Sequence, residues 1–213
     1  MTERLEYIFD AVPACDTFAD VACDHGYIAF EMLCSGKCNR AIVADISEKS
    51  LKKAENLLQD YVQAGKCRSF VSDGFDNVPK ADCALIAGIG GTLTENIICR
   101  ATILPDTLVL QPMKHCDKVR RALVRLGFAV KKDFTVKAEG QFYDIIVANK
   151  GKDCLTDEEA EFGRTNIVER PQAFRDKIQE QIDKLISYTE RENIAANTRL
   201  KMLEKAERLK KYV

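Results

Sequence analysis

The sequence predicts an α/β fold, a doubly wound parallel sheet, followed by a small all-helical unit. Short apolar runs alternate with helical periods from Thr17 to Leu126. Two strand-like runs, Phe128–Val136 and Phe142–Ala148, then follow with only a polar turn at Ala138–Gln141 between them. After Gly151 the strand signal stops.

Leu5, Ile8, Phe9 and Val12 share one helical face, and Pro13 ends that helix. Thr17–Ala22 reads as the first strand. Its turn, from Asp20 to Gly26, releases a helix that opens at Tyr27 and stops at Gly36. Ala41–Ala44, ending in Asp45, is the second strand. Ser47 then caps a helix whose period runs through Leu51, Ala54 and Leu58 to Gly65. Arg68–Val71 leads into Ser72-Asp73-Gly74, and Cys83–Ala87 runs directly into Gly88-Ile89-Gly90-Gly91. A helix over Leu93, Ile97, Ile98 and Ala101 follows. Thr107–Leu110 ends in Gln111-Pro112, and a helix from Cys116 to Leu126 is closed by Gly127.

In the tail, Thr156 to Glu159 is a capping pattern. Phe174, Ile178, Ile182, Leu185 and Ile186 form one apolar stripe; Ile194, Leu200, Leu203, Leu209 and Val213 form a second. Two such stripes most simply bury each other in a coiled-coil-like pair, with a dimer seam as the alternative and a monomer favoured. The expected division is a sheet domain over residues 1–152 and a helical domain over 153–213.

Composition narrows the function classes. The chain has 213 residues, is 46% hydrophobic and carries a net charge of −1, which gives no global electrostatic case for nucleic acid. No apolar run reaches membrane-span length, and the acidic N-terminus does not read as a leader, so a cytoplasmic protein without membrane contact is expected. The nine cysteines form no C-x-x-C pair. They read as reduced thiols, with Cys23, Cys83 and Cys99 as small buried hydrophobes, and only two histidines argue against a metal centre.

The residues at the strand ends carry the chemistry. The first turn fits acid-x-G-x-G-x-G with Asp20 as the acid, Ala22 and Asp24 in two glycine places and Gly26 in the last. Asp45, beside Ile46, can accept from both hydroxyls of a ribose, or cap the next helix. Asp73, before Gly74, can accept from an adenine amino group, or simply shape a turn. Gly88 and Gly90 allow close approach of a ligand to bare backbone. Lys114, Lys118, Arg120, Arg121 and Arg125, with Lys131 and Lys132, form the densest basic stretch, either a solvated helix face or a phosphate-binding surface.

In order along the chain, F-A-D-V-A-C-D-H-G-Y, S-D-G, A-G-I-G-G-T-L, L-V-L-Q-P and F-Y-D-I-I-V resemble the bacterial tRNA adenine-N1 methyltransferases that act on position 22, the TrmK family. The resemblance covers roughly Leu5 to Gly151. Ala22-Cys23 stands where that family usually has Gly-Ser, and Met113-Lys114-His115 follows L-Q-P where it often has Asn-Asn-Arg.

The resemblance implies a Rossmann-like class I methyltransferase sheet and a helical C-terminal domain. It also implies S-adenosylmethionine as cofactor and tRNA as partner. On that basis Asp20, Ala22, Gly26, Asp45, Ile46, Asp73, Gly74, Gly88 and Gly90 are expected at the cofactor. Asp24 is expected to act in catalysis, with His25 orienting it or contacting the cofactor carboxylate; Gln111 bonds the target base or satisfies loop backbone, and Tyr143 stacks on that base or packs as a half-buried strand residue. Lys114, Lys118, Arg121 and Arg125 are expected on the RNA. The alternatives are a methyltransferase for a small molecule or protein, and an RNA-binding protein that keeps the turn only as scaffold.

Overall fold

A computed structural model describes residues 1–191 and 194–213. Thr2 caps α1 (Glu3–Ala11), its hydroxyl accepting from the Leu5 N–H. Then come β1 (Cys15–Val21), α2 (Tyr27–Cys34), β2 (Cys38–Asp45), α3 (Glu48–Leu57), α4 (Gln59–Gln63) and β3 (Cys67–Val71). The second half of the sheet domain contains β4 (Cys83–Ala87), α5 (Gly91–Arg100), β5 (Thr107–Gln111), α6 (Cys116–Arg125), β6 (Phe128–Ala138) and β7 (Gln141–Lys150). The tail is α7 (Asp157–Phe162), α8 (Arg164–Glu169), α9 (Gln172–Thr189) and α10 (Ala196–Leu209), closed by a 3₁₀ turn at Lys210–Tyr212.

One seven-stranded sheet runs in the order β3-β2-β1-β4-β5-β7-β6. The first five strands are parallel, and β7 slots antiparallel between β5 and β6. Strand order therefore reverses at β1 and β4, so the ends of those strands open a crevice at the carboxyl edge of the sheet. Helices cover both faces, which is why the central strands are continuous apolar runs and do not alternate. Ile8, Met32 and Leu51 pack with Phe18, Val43 and Val109 on one face. Ile98, Val119 and Leu123 pack with Ile86 and Leu110 on the other.

Four sequence expectations are corrected. Strand β1 stops at Val21, because Ala22 is left-handed with φ of 59°. The helix expected from Ser47 to Gly65 is two helices, broken at Leu58, where φ and ψ are −97° and 12°. Cys99 is exposed on α5 and not a core thiol, whereas Cys83 is buried. In α10 the buried face is Ala206 and Leu209, continued by Tyr212, while Leu200 and Leu203 are exposed. The two long tail helices do pack together, over Phe174, Ile178 and Ile182.

Helices α7 and α8 lie on α6 and β6. Their anchor is Arg120, which the sequence places among surface cations but the fold buries completely. Its guanidinium pairs with Asp133 at 3.0 Å and Asp144 at 3.4 Å and donates to the carbonyls of Ala160 and Glu161. Burial raises the cost of the Asp144 carboxylate, but Lys177 and Arg120 outweigh it and hold its carboxyl below the usual range. Gly163, at φ 90°, lets backbone pass this pair: a Cβ there would stand 2.8 Å from an Asp133 oxygen.

Candidate active site

The crevice at the strand ends is a cleft of about 650 Å³. Its walls include Asp20, Ala22, Asp24, His25, Asp45, Ile46, Asp73, Gly74 and Gly88, so most of the expected cofactor residues and two of the expected catalytic ones converge there.

The turn after β1 keeps a glycine-type backbone. Ala22, Asp24 and Gly26 have φ of 59°, 45° and 70°, all left-handed, and these are the three glycine places of the motif. For the two residues that carry a Cβ this conformation costs about 1–2 kcal/mol each. Asp45 holds the turn from the neighbouring strand. One of its oxygens accepts from the Asp24 N–H at 3.1 Å and the other from the Ser47 N–H at 2.9 Å. Ser47 caps α3 through the Ser50 N–H, and Asp45 steadies that cap residue while keeping acceptor capacity toward the cleft, since each carboxylate oxygen takes two hydrogen bonds. Ile46, 69% exposed, offers a flat apolar surface beside it.

Asp20 is buried at the cleft floor and accepts from the backbone N–H of Ala29. Burial pushes its carboxyl up to about 8, against that hydrogen bond and with a further push from Asp45. Cys23, in the same turn, is also driven above its ordinary value by burial and by the nearby carboxylates. It is therefore a thiol and not a thiolate.

Asp24 stands at the rim. Its carboxylate lies 3.2 Å from Lys53 of α3 and 3.5 Å from the His25 ring, which stacks on Tyr27 with centroids 5.1 Å apart. The Asp24–Lys53 pair is solvated, and exposed pairs contribute at most about 1 kcal/mol, so Asp24 can be released to a ligand at small cost.

Other expected residues stand differently. Asp73 lines the cleft, but Arg100 holds one of its oxygens at 3.0 Å. Gly26 faces α3, where a Cβ would meet that of Ala54 at 2.9 Å, and Gly90 is the extended cap of α5; neither lines the cleft. The crowded glycine of that loop is Gly91, whose added Cβ would sit 2.3 Å from the Lys114 carbonyl.

Gln111 and Tyr143 are buried outside the cleft lining. Arg4 connects both to it: its guanidinium donates to Gln111 Oε1 at 2.7 Å, stands 5.7 Å from the centre of the Tyr143 ring and itself lines the cleft. Sequence reasoning missed Arg4 and Lys53. The available signal for Arg4 was a cation on the same helical face as Ile8 and Val12. On α6, Lys118 donates to the Thr92 hydroxyl, Arg121 pairs with Asp157 and Arg125 with Glu95, so this part of the basic stretch is largely answered within the chain. Lys114 lies apart from it, on the loop after β5.

The donor set fits a nucleoside cofactor. Buried and half-buried acids face a cavity with apolar flanks at Ile46 and Leu93, and Gly74 packs so closely on Ile97 that a Cβ would come within 2.7 Å.

Residues 1–146 match a family model described as a methyltransferase domain. A Mycoplasma pneumoniae protein provisionally named a tRNA methyltransferase is 29% identical over 68% of this chain and 70% of its own length. The tRNA (adenine(22)-N(1))-methyltransferase of Bacillus subtilis is 26% identical over 71% of this chain and 66% of its own. Among solved structures, a Streptococcus pneumoniae protein provisionally named a tRNA (m1A22) methyltransferase, in complex with S-adenosyl-L-methionine, aligns with a TM-score of 0.87 at 23% identity. That alignment covers 100% of this chain and 99% of that one.

Proposed function

The chain belongs to the methyltransferase-domain family, and from that premise we propose that it transfers a methyl group from S-adenosylmethionine to N1 of adenine 22 in tRNA. The observation that carries this reading is the ordered set of strand-end motifs around one cleft, in a chain similar to the Bacillus subtilis adenine-22 enzyme.

S-adenosylmethionine supplies an electrophilic sulfonium methyl. The residues that would hold it are Asp45 and Ile46 at the ribose and purine side, with the β1 turn and Asp20 on the cleft floor. Adenine N1 has an available lone pair, so the reaction needs alignment and an electrostatic answer to the charge that the base acquires, and no strong base. Asp24 provides that answer. Its carboxylate is at the rim, where a splayed base would enter, and it exchanges Lys53 for the methylated ring. His25, beside both Asp24 and Lys53, orients the carboxylate. Arg4 fixes the Gln111 amide: Oε1 accepts from the Arg4 guanidinium at 2.7 Å, and the N–H₂ donates to the Met113 sulfur at 3.5 Å. Gln111 and Tyr143 support the acceptor wall from behind, in place of the direct base contacts expected from sequence.

The test is incubation of an unmodified tRNA transcript with the protein and S-adenosylmethionine, followed by nucleoside mass spectrometry. 1-Methyladenosine is the expected product; methyl transfer to another atom, or only to a non-RNA acceptor, contradicts the reading.

A further inference from the structure

The loop after β3 is tied down on three sides. Its Ser72 N–H donates to the Asp45 carbonyl at 3.0 Å, so it starts from the strand end that carries the proposed ribose acid. The Ser72 hydroxyl donates to the Gly74 carbonyl at 3.0 Å and accepts from the Asn77 N–H at 3.1 Å. Helix α5 closes the third side with two residues one turn apart, Ile97 against Gly74 and Arg100 on Asp73.

Arg100 grips one residue at two points. Its guanidinium donates to Asp73 Oδ2 at 3.0 Å and to the Asp73 main-chain carbonyl at 3.1 Å, while a second acid, Asp76, stands 3.8 Å from the same group. A planar fork that joins a side chain to its own backbone fixes the rotation of that side chain. Arg100 does this from outside, because Asp73 lines the cofactor cleft and Arg100 does not. Among the described residues no donor reaches Asp73 Oδ1, so one oxygen of a locked carboxylate is left for a ligand in the cleft. The pair is about half exposed and adds little to stability. Its effect is on position.

A fixed acceptor distinguishes purines. Adenine offers an amino N–H at C6 beside an unprotonated N1. A 6-oxo purine puts an oxygen at C6 and moves the nearest N–H to N1. A free carboxylate can swing to follow that N–H, whereas a stapled one meets the oxygen and leaves two acceptors facing each other.

We propose that Arg100 is a positioning residue that makes the cofactor site selective for a 6-amino purine, by locking Asp73 with one oxygen presented to the amino group. The inference rests on the S-adenosylmethionine reading of the cleft and deepens it. Arg100 acts only through Asp73, and the last turn of α5 thereby sets which nucleoside the cleft accepts.

The test is calorimetric titration of the full chain with S-adenosylhomocysteine and with its deaminated analogue, S-inosylhomocysteine. The wild type is compared with Arg100→Ala, Arg100→Lys, Asp73→Ala and the Asp73→Ala/Arg100→Ala double variant, and thermal melts close to that of the wild type report an intact fold. The wild type should prefer the adenosine compound by at least about tenfold. In Arg100→Ala that preference should shrink at least about threefold, and Arg100→Lys should follow it, because an ammonium lacks the planar fork. Asp73→Ala should lower the preference as well, and adding Arg100→Ala to it should change the preference no further. A wild type without preference, an unchanged preference in Arg100→Ala, or full rescue by lysine would each overturn the proposal. A wild type that binds neither compound would instead contradict the cofactor reading itself.

Discussion

Ala22 and Asp24 carry side chains in a backbone shape that suits glycine, and the two departures from the glycine pattern have different consequences. Ala22→Gly removes strain and no polar group, so it should stabilise the protein by up to about 1 kcal/mol in thermal or urea melts. Gly26→Ala adds a Cβ 2.9 Å from Ala54 at a left-handed φ and should destabilise clearly. Asp24→Ala should lower the single-turnover rate about a hundredfold or more while leaving cofactor affinity nearly unchanged; equal losses in both would make Asp24 a binding residue. Asp20 provides a pH test. A carboxyl raised to about 8 in the folded state binds its proton more tightly there than in the unfolded chain, so it contributes stability at low pH that is lost as pH rises from about 4 to 8. Asp20→Asn should therefore flatten the fall in melting temperature between pH 5 and 8, and an unchanged pH profile would contradict this.

Among the elements, those of the sheet and its helices were legible because each is written in a local period: buried runs for β1, β2, β4 and β5, helical spacing between them, and left-handed Glu139 and Gly140 at the turn between β6 and β7. Acids at strand ends were legible for the same reason, since a strand's carboxyl end is a local fact. The rest depends on chain segments far apart. Arg4 matters because α1 packs back against the sheet, 107 residues from Gln111 in sequence. Arg120 resembles its basic neighbours until β6 and β7 bring Asp133 and Asp144 to it. In α10 both faces carry leucines, so residue type alone does not say which one meets α9; Ala206 and Leu209 do, and Leu200 and Leu203 remain outside.

At the scale of the whole molecule, the Arg120 network ties the tail to the sheet. Arg120→Ala would leave Asp133 and Asp144 buried without their shared cation, and should cost about 3–5 kcal/mol, read as a lower urea midpoint. That link joins α6, β6 and β7 to the backbone of α7. The most direct measurement of the central claim is methyl transfer to a tRNA transcript with adenine at position 22, beside a matched transcript with guanine there, with the modified position mapped by fragment mass spectrometry. One methyl group on N1 of adenine 22, and none on the guanine transcript, is the predicted result. Comparable methylation of both transcripts would contradict it.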